Sequence, residues 1–129
     1  MIGPLTTPAC AGGDGTSTAT VTSSKKITGL VYGAYVQFVG DDPATTDLTI
    51  ATLGTTPNQP AHNILVRADS AADGLLLPRM DIHTFSTGAA QTVNNALIAI
   101  NDFVVVTVAQ ANDGDVCNVW LFVIKDTRL

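Results

Sequence analysis

Two apolar, strand-like runs, Phe103–Ala111 and Val116–Ile124, flank the tetrapeptide Asn112-Asp113-Gly114-Asp115. Asn, Asp and Gly tolerate the positive φ of tight turns, so the pattern predicts a β-hairpin over Asp102–Lys125. In the first run Val104, Val106 and Val108 share one face, opposite Phe103, Val105 and Thr107. In the second, Val119, Leu121 and Val123 oppose Trp120, Phe122 and Ile124, so that run is apolar on both faces. Burying one large apolar side chain contributes roughly 1.5–3 kcal/mol. A sandwich strand needs only one covered face. Leaving Trp120, Phe122 and Ile124 in water forfeits several such contributions and invites edge pairing. Either a second sheet or a protein partner covers that face, and the three residues are candidates for a protein–protein interface.

The rest of the chain reads as short strands separated by turn signals. Residues 1–16 are rich in Gly, Pro, Thr and Ala, which predicts an extended N-terminal arm outside a single domain at 17–129. An arm that is ordered packs on its own sheet or on a neighbouring subunit. Ser17–Thr22 suits an edge strand. In Ile27–Val39, period-two alternation places Leu30, Tyr32, Val36 and Phe38 on the core face. The odd-numbered face then carries Gly29, Val31, Gly33 and Tyr35. Its glycines suggest a bulge or a close backbone approach, and Val31 and Tyr35 join the interface candidates. Asp47–Leu53, Ile64–Ala68 and Leu75–Leu77 read as strands, with Leu48 and Ile50 facing inward. Gly54–Asn63 and Asp81–Gln91 read as loops, and Thr92–Ile100 is ambiguous between a turn, a short strand and a helical turn. Six to eight such strands imply an all-β antiparallel sandwich, jelly-roll-like in character.

The acidic residues support this. All 11 are Asp and none is Glu, and Asp favours turns and caps where Glu favours helices. The formal net charge is −5, and the six basic residues are scattered rather than gathered in a stripe, which argues against direct nucleic-acid binding. No apolar run approaches the ~20 residues of a membrane helix, and no signal-peptide pattern opens the chain. The expected product is a soluble one made in the cytosol. Cys10 and Cys117 read as two free thiols, Cys117 as a small buried residue, although their spacing leaves a disulfide open.

Catalytic constellations are weak. Asp81 and His83 share one face of an extended segment, but no third metal ligand accompanies them. Ser70 and Ser86 sit in no Gly-x-Ser-x-Gly elbow. Asp41, Asp42 and Asp47, or Asp113 and Asp115, offer oxygen to a calcium ion, yet the glutamate that closes a calcium loop is missing. Gly12–Thr16 lacks the Lys of a phosphate loop. Trp120 and Tyr35 are the plausible members of a carbohydrate platform, although both lie in strongly apolar runs. The expectation is no enzyme, no cofactor and no metal.

Three segments taken in order carry a resemblance: Pro43–Ile50 (PATTDLTI), Asp73–Arg79 (DGLLLPR) and Asp102–Asp115 (DFVVVTVAQANDGD). Together they resemble the capsid decoration, or cement, proteins of tailed bacteriophages, over about residues 25–125. The motifs are structural rather than catalytic. The resemblance implies a β-sandwich on the capsid exterior of the virion, often a homotrimer. Its partners would be the major capsid protein and further copies of itself, with neither nucleic acid nor membrane contacted directly. The alternative is a tail, baseplate or surface-binding β-sandwich that recognises glycans.

Overall fold

Period-two alternation of apolar side chains runs through the chain, and every regular element among the described residues is a strand. The computed structural model describes residues 1–54, 60–80 and 96–125. Its strands are β1 (Ile2–Thr6), β2 (Ser17–Thr22), β3 (Ile27–Val39), β4 (Asp47–Thr52), β5 (Asn63–Arg67), β6 (Gly74–Leu76), β7 (Ile98–Asp102), β8 (Val104–Ala111) and β9 (Val116–Ile124). The loop expected over Asp81–Gln91 lies outside the described residues, as do 55–59 of the earlier loop. Of the ambiguous stretch, Ile98–Ile100 is strand.

The strands form two antiparallel sheets, ordered β1-β9-β3-β6 and β2-β8-β4-β5, with β7 pairing the first half of β3. Most connections cross from one sheet to the other, which is the winding of a jelly roll. The core lies between the sheets. Val104, Val106 and Val108 from β8 and Leu48 and Ile50 from β4 meet Val31, Ala34 and Val36 from β3, together with Cys117, Val119 and Leu121 from β9. All are essentially inaccessible to solvent.

Three expectations change. First, β8 and β9 are not a hairpin. β8 pairs with β2 and β4, whereas β9 pairs with β1 and β3. The turn at Asn112–Asp115 arches between sheets, so the buried faces of the two strands look at each other across the core. Burying both faces against one another removes more apolar surface from water than laying the strands side by side would.

Second, β3 changes face partway along. Its register against β9 slips between Val31 and Gly33. A bulge of this kind inserts one extra residue and reverses the alternation beyond it. Ile27 and Val31 therefore point inward before the slip, and Ala34 and Val36 after it. Leu30 and Tyr32, expected in the core, are each 40% exposed, while Val31, expected at an interface, is completely buried. Gly29 permits the close approach. Its φ is +148°, and a side chain there would strike the Ile124 carbonyl oxygen.

Third, the placement left open for residues 1–16, their own sheet or a neighbouring subunit, narrows to their own sheet. β1 pairs with β9 at the sheet edge, and Thr7 N–H donates to the Cys117 carbonyl at 2.9 Å. Thr7 and Cys10 are buried. The segment covers an otherwise open row of β9 backbone groups, which is how an edge strand is protected.

Candidate assembly surface

The outer face of the first sheet is apolar and aromatic. Trp120, Tyr35 and Leu75 stand directly opposite one another on β9, β3 and β6. The Tyr35 and Trp120 rings lie 5.7 Å apart at 57°, and those of Tyr32 and Phe122 lie 5.8 Å apart at 47°. Tilted rings at this separation are a favourable aromatic geometry, stabilising by about 0.5–1.5 kcal/mol beyond area burial. Phe122 and Leu75 both pack beside Gly33, at ordinary contact distance from where a Cβ would stand. Leu30 pairs with Ile124 beyond the bulge, and Ile124 is 51% exposed. Leu75 is about three-fifths exposed. The rings are thus held rigidly by the sheet while large apolar side chains beside them remain open to solvent. Clustered apolar exposure of this kind marks a contact surface more often than a free one.

The outer face of the second sheet is different. Thr20, Thr107 and Thr49 form one rung across β2, β8 and β4. The hydroxyls of Thr20 and Thr107 lie 3.3 Å apart. Thr18 and Thr22 extend the row along β2 and are exposed. Threonine satisfies strand propensity while hydrogen-bonding to water. The rung continues to Val66 on β5, which is 59% exposed, but the strands of the second sheet carry no aromatic residue, so the exposed rings belong to the first sheet.

At one end of the sandwich, loops before β2, after β3 and between β8 and β9 meet around Asp115. Its carboxylate accepts the Asp41 N–H at 3.1 Å and the Asn112 N–H at 3.0 Å. Its backbone carbonyl accepts the Cys10 N–H at 2.7 Å. Asn112 ties in the other two loops, donating to the Asp41 carbonyl and accepting from Gly15 N–H. Gly40 leaves space for Asp115, because its φ is +137° and a Cβ there would meet the Asp115 carboxyl carbon at 2.9 Å. Beside this network both oxygens of Asp42 are buried and meet no protein donor. Burial, followed by the facing Asp115 charge, pushes the Asp42 carboxyl up to about 6. Burial likewise raises Cys10, and raises Cys117 to about 12, so neither thiol is a ready nucleophile. Both are free and buried.

The interface candidates thus divide. Trp120, Phe122, Ile124 and Tyr35 share the outer face of the first sheet, whereas Val31 is core. Tyr32, Leu30 and Leu75 also belong to that face, which alternation alone does not reveal. Parity counting misplaces the first two across the bulge, although Gly33 marks the site. His62 is structural: its N–H donates to Thr52 Oγ1 at 2.9 Å. Asp81, His83 and Ser86 lie outside the described residues. Among the described residues, no three His, Cys, Asp or Glu side chains gather to hold a metal ion. Among them, too, no helix is long and apolar enough to cross a membrane. Comparison with protein-family models, with curated proteins and with solved structures finds no match.

Proposed function

We propose that this protein is a structural component of a virion that binds the outside of a tailed-phage capsid and stabilises the shell. The observation that carries the reading is the asymmetry of the two outer faces: the aromatic rings gather on one, whereas the strands of the other carry none. A cement protein needs no reaction centre. It needs a stiff scaffold and a surface whose burial on the shell or on neighbouring copies releases water. The first sheet supplies that surface with Tyr35, Trp120, Phe122 and Ile124. Many such contacts repeated by symmetry add through effective concentration. Jelly rolls serve as capsid and lectin domains alike, so the fold supports the reading without fixing it.

Cosedimentation with empty phage heads tests it. Wild-type protein should pellet with the shells and raise the temperature at which they break, whereas Trp120→Glu/Phe122→Glu protein should stay in the supernatant. A second reading, glycan recognition, draws on the same exposed aromatic rings. Saturable sugar binding abolished by Trp120→Ala, with no binding to heads, would favour it over shell attachment.

A further inference from the structure

Among the described residues, charge is segregated along the strand direction. Asp14, Asp41, Asp42, Asp73, Asp113 and Asp115 gather at the end where Val39 pairs with Val116. Asp47 and Asp69 lie at the same end of β4 and β5, joined by the Asp69 N–H donating to the Asp47 carboxylate. Arg67 is the one described cation there, and its guanidinium donates to the Ala72 carbonyl. At the opposite end, Lys25 and Lys26 precede β3 and Lys125 follows β9. All three lysines are exposed, and with Ile2, Pro4 and Leu5 they line a groove of about 320 Å³. Asp102 is also at that end but is buried, its oxygens taken up by the Gly54 and Phe103 N–H groups.

We propose that copies of this chain bind end to end, the acidic turn Asn112–Asp115 of one seated in the lysine groove of the next. The contact goes beyond shell attachment and uses a different surface. β8 is eight residues long. At ~3.3 Å per residue the two ends are roughly 26 Å apart, about three Debye lengths at physiological salt. Each end therefore presents its own sign to a partner at contact, despite the net charge of −5 on the whole chain. The shape fits as well. Asp113 and Gly114 are exposed, and a side chain at Gly114 would meet no atom within 4 Å, so the turn stands clear of the body. An acidic tip matches a groove that three lysines line together with two serines and the apolar Ile2, Pro4 and Leu5. Joining two unlike surfaces makes a heterologous contact, which closes into rings or continues as a filament.

Sedimentation velocity on the intact chain tests this through Lys25→Glu/Lys26→Glu, Asp41→Lys/Asp113→Lys and their mixture. The substituted side chains are exposed, and matching thermal melts confirm folding. Wild-type protein should associate at about 0.1 M salt, where the Debye length is about 10 Å, and dissociate at about 1 M, where it is about 3 Å. Each charge-reversed variant alone should lose the associated species, and mixing the two should restore it. Association by either variant alone, or a mixture that stays monomeric at low salt, would overturn the proposal. Trp120→Glu/Phe122→Glu protein should keep the salt-dependent association, which separates this contact from the aromatic face.

Discussion

Tyr35 and Trp120 face each other in register on β3 and β9, ring centroids 5.7 Å apart, on the outside of the first sheet. Neither ring belongs to the core, whose share of β9 is Cys117, Val119 and Leu121. Such a pair is preorganised for contact, because its rotamers are fixed before a partner arrives and little entropy remains to be lost. Core and proposed contact surface are therefore carried by alternate residues of one strand.

That division predicts separable effects. Val31→Ala should cost about 1–3 kcal/mol of stability by opening a cavity between the sheets and leave assembly intact. Phe122→Glu should shift stability by less than Val31→Ala does and abolish assembly. Denaturant titration and shell cosedimentation on both variants check the pattern.

Gly29 is a backbone requirement of the β3–β9 contact. With φ at +148°, an added Cβ would strike the Ile124 carbonyl and approach Val123 Cγ1 to 2.6 Å. Gly29→Ala should destabilise the fold by roughly 2–4 kcal/mol, combining backbone strain and a steric clash. Gly114→Ala meets no neighbouring atom, so its cost is confined to the strain of φ +88° and should be the smaller. Paired thermal melts measure the difference.

Asp42 makes stability pH-dependent in an uncommon direction. Burial and the neighbouring Asp115 raise its carboxyl from 3.8 to about 6. The folded chain therefore holds a proton that the unfolded chain releases, and stability from this group is full below the unfolded value and lost as pH rises through 6. Asp42→Asn cannot ionise, and its amide can donate to Asp115. The variant should be more stable than wild type at pH 7.5, on the order of 1–3 kcal/mol for a charge-assisted hydrogen bond. The gap between the two should narrow toward pH 4, as followed by urea titration across that range.

Asp115 links three loops through its carboxylate and backbone. Asp115→Ala leaves the Asp41 and Asn112 N–H groups without their acceptor, at about 1–3 kcal/mol for each group that water does not reach. Hydrogen exchange at Asp41 and Asn112 should accelerate while the amides of β8 remain protected. Unchanged exchange at both sites would contradict the role given to Asp115.

Much of the sandwich is legible in residue alternation. Val104, Val106 and Val108 announce one buried face, and Val119 and Leu121 announce another. The sheet each strand joins is not legible, because Asn112-Asp113-Gly114-Asp115 suits any tight reversal and long-range pairing decides between hairpin and arch. Parity fails along β3 because one inserted residue at the Val31/Gly33 slip exchanges the faces beyond it. The Gly/Pro/Thr composition of residues 1–16 describes an extended backbone correctly but says nothing of the open β9 edge that binds it. The acidic corner is invisible in sequence, since Asp14, Asp42, Asp73 and Asp115 are far apart until three-dimensional folding gathers their loops.

Trp120 is the only tryptophan, so intrinsic fluorescence reads the central surface directly. Emission wavelength and acrylamide quenching should be followed while free protein is titrated with empty heads. The account predicts a blue shift and a several-fold loss of quenching as Trp120 is covered. Saturable attachment to heads with emission and quenching unchanged would contradict it, placing the contact elsewhere on the molecule.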